Sequence, residues 1–506
     1  MSLARTWSVG LVGVQGAMVE VEVDLAAGVP TVVLVGLPDA VVRQSVDRVR
    51  AAVVNSGHEF PLRRVTIGLS PAAMPKQGSG FDLALAVAVL AAARVLPAAR
   101  VGDLVLLGEL GLDGSLRAVR GVLPAVLAAL AAGHRQVVVP LDNADEAALV
   151  EGIDVLAAGS LGQVVAHLAG RAPLDPHERG ATEPAPPGPD LADVVGQTAG
   201  RRAVEIAAAG GHHLLLTGPP GAGKTMLAER LPGLLPPLDE RAALEVTAIA
   251  SIAGTLPPGA PLVTRPPFES PHHSATMAAL VGGGSGQIRP GALSRAHLGV
   301  LFMDEAPEFA RTVLDTMRQP LERGQVTIHR ANGSATFPCR TQLVLAANPC
   351  PCASAAGDTA CTCSPLERRR YQSRLSGPLL DRIDLRVTLP PVTRAAWLDG
   401  AGSPEPTAAV AERVRRARAV AAERMAGTGL ALNSQVPGRL LRERWKPARG
   451  SLALAERALE QGSLSVRGFD RVLRVAWTLA DLAGLVTPGP DEVAEALGMR
   501  LQRVAA

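Results

Sequence analysis

Leu214-Leu-Leu-Thr-Gly-Pro-Pro-Gly-Ala-Gly-Lys-Thr225 decides the fold class. An apolar run ends in a Gly-rich turn closed by Lys224 and Thr225, the GxxxxGK[ST] pattern of a phosphate loop. Gly218, Gly221 and Gly223 let backbone N–H groups curl around phosphate oxygens where a Cβ would clash. Pro219, Pro220 and Ala222 complete the loop. Lys224 would reach the β- and γ-phosphates of ATP, and the Thr225 hydroxyl would hold Mg²⁺. The chain carries 50 Lys and Arg residues, of which only Lys76, Lys224 and Lys446 are lysine. A lysine at this position of an Arg-rich chain therefore reads as a chemical choice. A strand precedes the loop and the helix-like Met226–Leu234 follows it, as the pattern requires.

Outward from the loop, residues 191–392 alternate strands with helices, which predicts a parallel sheet. His297–Ala306 reads His-Leu-Gly-Val-Leu-Phe-Met-Asp-Glu-Ala, a buried strand with Asp304 and Glu305 at its C-terminal end. Ligands bind at that end of a doubly wound sheet. Asp304 would hold Mg²⁺, directly or through water, and Glu305 would polarise an attacking water. A third strand, Gln342–Ala347, ends at Asn348. That amide either orients the water or contacts the γ-phosphate, or simply forms the turn before Pro349. In Ser376–Leu385, Arg382 stands between Asp381 and Asp384. It is either a surface ion pair or an arginine finger for a neighbouring subunit. Arg467, in the helix-opening stretch Ser465–Arg471, either folds back onto the nucleotide or is a surface residue.

The flanks have different compositions. Residues 1–170 are mixed α/β: Met18–Leu25 alternates as a half-exposed strand, and Thr31–Val35 is a second strand. Helices are expected over Asp39–Ser56 and Phe81–Leu96, with buried strands at Leu104–Leu107 and Gln136–Pro140. Residues 171–190 hold six prolines without periodicity and read as an extended linker. Residues 393–506 are rich in Ala, Arg, Glu and Leu and predict a helical domain, with helices over Ala408–Met425, Leu452–Gln461, Arg467–Leu482 and Asp491–Val504. The 506 residues are 47% hydrophobic but only 2% aromatic, so the cores must be built from Ala, Val and Leu. Net charge is +3, which gives no whole-molecule electrostatic argument for nucleic acid and none against a local basic patch. The longest apolar run, Leu83–Ala93, is too short to span a bilayer. With no signal-peptide pattern, a cytoplasmic protein without a membrane partner is expected.

Four of the five cysteines form two CxC pairs, Cys350/Cys352 and Cys361/Cys363. Four thiolates would satisfy tetrahedral Zn²⁺; free thiols or oxidative pairing are the alternatives. Cys339 lies apart and reads as a small core residue. His272 and His273 have no third ligand nearby in sequence and read as structural.

Together these stretches resemble AAA+ ATPases of the magnesium-chelatase/MCM-helicase group, specifically the YifB/ComM type. The most specific segments are Phe268–Leu280, Val300–Glu305, Leu345–Pro349 and Leu375–Leu385. The resemblance implies Walker A at Gly218–Thr225 and Walker B at Asp304–Glu305. It also implies sensor 1 at Asn348, the finger at Arg382 and sensor 2 at Arg467. It implies a homo-oligomeric ring, usually a hexamer, whose hairpins face a pore. The candidate hairpins are Gly324–Phe337, with His329 and Arg330, and the neighbourhood of Gly282–Gly291, with Arg289. These three residues are candidate DNA contacts or solvated charges. Residues 1–170 resemble a Lon-protease-type domain of the ribosomal S5 domain 2-like fold, through Pro75–Asp82 and Gly108–Leu116. Laid over that pattern, the nucleophile falls on Gly80 and the lysine on Leu123, so a Ser–Lys dyad is missing. Ser79 lies one place off, and Lys76 is that region's only lysine. The expected function is an ATPase that remodels DNA, in the manner of a branch-migration helicase in natural-transformation recombination. A chelatase-like or protein-remodelling ATPase acting on a partner protein, and a scaffold with vestigial activity, are the other readings.

Overall fold

The computed structural model describes residues 3–180, 188–284, 288–330, 333–352, 361–392 and 404–501. The N-terminal region is built on a seven-stranded sheet. Its strands are β1 (Leu3–Val12), β2 (Gln15–Ala26), β3 (Thr31–Val35), β4 (Arg64–Ser70), β5 (Val105–Leu106), β6 (Gln136–Pro140) and β7 (Asp154–Ala158), in the order β3-β4-β2-β1-β5-β6-β7. Strict alternation sets the facing of β2: Val19, Val21 and Val23 are fully buried. Glu20 and Glu22 turn to the other face, where both approach Arg5. Helix α1 (Ala40–Asn55) is capped by the Asp39 side chain. The apolar helix α2 (Asp82–Ala92) is buried on every side. Helix α3 (Val122–Ala131) carries Leu123 into the core.

Two expectations need correction here, and one strand lies outside them. The sequence pattern gives no sign of β1, because Leu3–Val12 mixes Arg, Thr, Trp and Ser without clean alternation. It is secured by the full-length antiparallel register with β2, from Leu3↔Asp24 to Val12↔Gln15. Helix α2 stops at Ala92 instead of Leu96, since Arg94 takes a positive φ of 61° that a helix cannot continue through. Part of the expected linker is strapped down. Pro176 bridges to Leu156, His177 N–H donates to the Val155 carbonyl, and the His177 ring pairs with Asp145. Residues 181–187 lie outside the described residues.

The second sheet is five-stranded and wholly parallel: β8 (Leu214–Thr217), β9 (Phe268–Glu269), β12 (Val300–Met303), β15 (Gln342–Ala347) and β16 (Leu385–Thr388), in the order β9-β12-β15-β8-β16. Its central strands are buried along their whole length, as a parallel sheet covered on both faces requires. Helices α4 (Thr198–Gly210), α5 (Lys224–Leu234) and α6 (Glu240–Ala253) accompany it. Two hairpins project from this region. The short one pairs β10 (Gly282–Gly283) with β11 (Arg289–Pro290). The longer one pairs β13 (Gln325–Arg330) with β14 (Gly333–Pro338). After β15 come α7 (Pro365–Gln372) and the single-turn α8 (Gly377–Leu380).

The chain closes with α9 (Thr407–Arg424), α10 (Val466–Ala483) and α11 (Pro490–Leu501), with shorter helices between α9 and α10. One hydrophobic cluster runs from Leu214, Leu216 and Val344 of the second sheet through Val410 and Val414 of α9 to Val472 and Val475 of α10. The C-terminal helices thus share a core with the sheet. A polar seam joins them as well: the buried His212 bonds Thr478 of α10 (2.7 Å) and faces Asp384, which also pairs with Arg471. No helix among the described residues is long and apolar enough to cross a membrane.

Candidate nucleotide site

The loop between β8 and α5 is shaped by glycine where glycine is needed. Gly221 and Gly223 take φ of 75° and 83°. A Cβ on Gly218 would lie 2.7 Å from the Leu389 carbonyl. Lys224 begins α5 and is 8% exposed. Its ammonium donates to the carbonyls of Gly218 (2.7 Å) and Pro219 (2.9 Å) and to Asn348 Oδ1 (3.0 Å). Burial pushes the Lys224 pKa down, while the nearby Asp304 and Glu305 carboxylates oppose that shift. Asn348 reaches Lys224 because β15 runs beside β8, with Thr217 level with Ala347.

Asp304 and Glu305 follow β12 on the other side of β15. Thr225 Oγ1 donates to Asp304 Oδ2 (2.9 Å), and Asp304 Oδ1 accepts from the Glu305 N–H (2.9 Å). Glu305 is held at φ 49°, ψ 42°, a left-handed conformation that costs a non-glycine residue on the order of 1 kcal/mol. Its carboxylate is half exposed and lies 3.2 Å from His273 Nδ1. His273, read from the sequence as structural, thus stands beside a candidate catalytic carboxylate. His272 packs against the His273 ring, with centroids 4.1 Å apart, and bonds Ser274. No sequence signal exposes this pair, since 32 residues separate His273 from Glu305 and the contact exists only because β9 lies beside β12.

The structure thus brings together Lys224, Thr225, Asp304, Glu305 and Asn348 at the C-terminal edge of the parallel sheet. It does not bring Arg382 or Arg467 to them. Arg382 pairs with Glu322 of its own chain and donates to the Pro378 carbonyl (2.6 Å). Its backbone is gripped by the C-terminal helices: Arg471 donates to the Arg382 carbonyl (3.0 Å), and Arg500 donates to the Ile383 carbonyl. Arg467 is exposed one turn before Arg471 and makes no ion pair among the described residues.

Arg289, His329 and Arg330 are exposed on adjoining hairpins. A Cβ on Gly283 would lie 2.9 Å from an Arg330 guanidinium nitrogen, so the two hairpins touch. They also lean on the N-terminal sheet, where a Cβ on Gly13 would meet the Thr336 carbonyl at 2.5 Å. Arg289 lines a cavity of about 340 Å³ with Ser79, Glu109 and Arg120. Within it Ser79 donates to Glu109, whereas Lys76 is fully buried and donates to the Pro71 carbonyl. The two residues nearest to a Ser–Lys dyad therefore have separate partners.

Comparison with known proteins adds the family. The description "Magnesium chelatase, subunit ChlI" matches residues 190–397, "Subunit ChlI of Mg-chelatase" matches 21–143, and the ChlI C-terminal description matches 404–500. The chain belongs to the magnesium-chelatase ChlI family. Within that family it is of the YifB/ComM type. It is 42% identical to competence protein ComM of Haemophilus influenzae over 505 residues, covering 99% of this chain and 98% of that one. It is 42% identical to YifB of Escherichia coli over 483 residues (95% and 94%). It is 54% identical to Rv2897c of Mycobacterium tuberculosis over 500 residues (99% and 99%). The ChlI family is AAA+ ATPase-like, and the parallel sheet with its phosphate loop agrees with that class.

Proposed function

We propose that this chain is a ring-forming AAA+ ATPase that couples ATP hydrolysis to the remodelling of DNA. The observation that carries the ATPase reading is the joined set Lys224–Asn348 and Thr225–Asp304–Glu305 at one end of the parallel sheet. The loop N–H groups and Lys224 would bind and orient the β- and γ-phosphates. Thr225 and Asp304 offer hard oxygen donors 2.9 Å apart that fit Mg²⁺. When bound, Mg²⁺ supplies charge neutralisation on the phosphate oxygens. Glu305 would accept the proton of the attacking water, with His273 fixing its carboxylate and Asn348 holding Lys224 in line. Arg382 would act in trans as the finger and Arg467 as sensor 2, in a homo-hexameric ring. In this reading residues 1–170 form a non-catalytic Lon-protease-like domain, 171–190 a linker whose first part is tied to that domain at Pro176 and His177, 191–392 the ATPase domain and 393–506 the helical lid.

The DNA half of the reading rests on Arg289, His329 and Arg330, all exposed on two touching hairpins. It is supported by the Haemophilus relative, named for competence. The test is steady-state ATP hydrolysis with single-stranded, duplex and four-way-junction DNA at two salt concentrations. Several-fold stimulation that weakens with salt and disappears in the Arg289→Ala/Arg330→Ala variant is expected. Robust hydrolysis indifferent to every DNA form would replace DNA with a partner protein as the substrate.

A further inference from the structure

Four of the five cysteines converge on one point. Cys350 Sγ lies 3.2 Å from Cys352 Sγ and 3.3 Å from Cys361 Sγ, and Cys352 Sγ lies 3.5 Å from Cys361 Sγ. All four sulfur atoms, Cys363 included, fall within 4.8 Å of one another. A disulfide needs about 2.05 Å and joins sulfurs in pairs. Here Cys350 faces two sulfurs equally, so the arrangement is a cluster around a centre. Four thiolates at about 2.3 Å from a tetrahedral ion would stand on the order of 3.8 Å apart, within the spread observed. The donor set is all sulfur, which selects a soft or borderline ion over Mg²⁺ or Ca²⁺.

We propose that Cys350, Cys352, Cys361 and Cys363 bind one structural Zn²⁺ per chain, and that this ion clasps the segment joining Asn348 to Arg382. The metal assignment stands on the thiol geometry alone. Its consequence for turnover rests on the ATPase reading above.

The clasp would act at both ends of one loop. Cys350 is buried two residues after Asn348, whose amide holds Lys224. Cys363 immediately precedes Ser364, which caps α7 through a reciprocal capping box with Glu367. Helix α7 leans back on the nucleotide edge: Gln372 donates to the Pro349 carbonyl (3.3 Å). Just beyond it, Arg374 bonds Glu308 (2.8 Å) and the Pro307 carbonyl (3.2 Å). From there the chain runs through α8 to Arg382. A metal holding the two CxC pairs together would keep the Asn348 turn and the start of this arm in fixed register. A structural, four-coordinate ion has no open position for substrate, so the role is positioning.

The test is the metal content of the full-length chain, purified under reducing conditions without added metal. About one zinc per chain is expected by mass spectrometry, with zinc released on mercurial titration of the thiols. Exchange with Co²⁺ should give the visible bands of a tetrahedral thiolate site. Cys361→Ser/Cys363→Ser should lose the metal, whereas Cys339→Ser should keep it. Cys339 is the built-in control: it is buried apart from the cluster, and burial pushes its thiol pKa up to about 12. The metal-free variant should bind ATP within about twofold of wild type while kcat falls about tenfold. Wild-type chain that carries no zinc and gives no cobalt bands overturns the proposal, as does iron in place of zinc, and both readouts hold even if the serine variant misfolds. Unchanged kcat in a folded, metal-free variant overturns the clasp. A zinc-loaded chain with no hydrolysis at all would sink the ATPase reading and leave the metal count standing.

Discussion

Lys76 and Lys224 make the comparison that best explains this molecule. Both are buried, and burial lowers the pKa of both. Each sits in the segment of its own region that carries a family-like motif. Lys224 meets two loop carbonyls and Asn348, with Asp304 and Glu305 close enough to oppose its deprotonation. Lys76 meets one backbone carbonyl, that of Pro71, while Ser79, the hydroxyl nearest in sequence, has gone to Glu109. Desolvation is therefore common to both lysines and decides nothing. Convergence of differently charged groups from several strands distinguishes the nucleotide edge, and it requires the parallel sheet.

The sharpest way to break this contrast is to remove each amine. Lys224→Ala should weaken ATP binding by about 10³-fold, the scale of removing one partner of a buried, hydrogen-bonded charge pair. Lys76→Met should leave both ATP affinity and kcat within about twofold, with any change confined to thermal stability. Isothermal titration and phosphate release on the two variants check this, and equal loss in both would erase the distinction drawn here. Arg382→Ala extends the comparison across subunits. If the chain forms the proposed ring, Arg382→Ala doped into wild-type protein should depress hydrolysis more steeply than its mole fraction, since a finger acts on a neighbour and is worth about 10³-fold or more. Strictly proportional loss would return Arg382 to the role it has within one chain, an ion pair with Glu322.

Within the site, Glu305→Gln should cost about 10²-fold in kcat with ATP binding retained, the scale of a lost general base. His273→Ala should cost about tenfold, because in the proposed mechanism it removes only the group that touches Glu305 and would orient it. Single-turnover hydrolysis separates these steps from binding. A His273 variant as slow as Glu305→Gln would move the histidine from orienting to proton transfer.

What could be read from the sequence follows the same division. The phosphate loop, Thr31–Val35 and Gln342–Ala347 are legible because their determinants are local: glycines at turn positions and unbroken apolar runs. The helix beginning near Asp39 and the one opening at Ser465 are legible for the same reason, and the structure makes both residues N-caps. Strand β1 is not, since its pairing partner β2 rather than its own pattern fixes it. The His273–Glu305 contact is not, because it depends on which strands become neighbours. The pairing of the stretch around Pro176 with Leu156 is hidden by a composition that reads as linker. Arg382 shows the other limit: its proposed chemistry belongs to a surface shared with a second chain, while its own chain supplies Glu322 and the grip of Arg471.

A third cation-former, the half-buried His213, completes the comparison and carries the smallest expected effect. His213 has its pKa lowered to about 4 by burial, with Asp384 opposing and Arg471, His212 and Arg382 reinforcing the shift. The geometry agrees with a neutral ring, for Nδ1 accepts the Leu343 N–H at 3.0 Å. A free histidine titrates near 6.5. Between pH 6.5 and 4 the unfolded chain therefore takes up a proton that the folded chain refuses. Stability from this group is complete above pH 6.5 and is lost as pH falls toward 4, by an amount on the order of 2 kcal/mol. Asp384 does not share that window. Its carboxyl is held well below the usual range by His212 and Arg471 despite its burial, so it stays ionised until lower pH. His213→Gln keeps an acceptor for Leu343 and should flatten the acid limb of a denaturation series over this window, while hydrolysis near pH 7.5 stays within about twofold. If His213→Gln instead abolished hydrolysis with the fold intact, burial next to the Arg382 segment would itself be functional, and the line between desolvation and convergence would have to be redrawn.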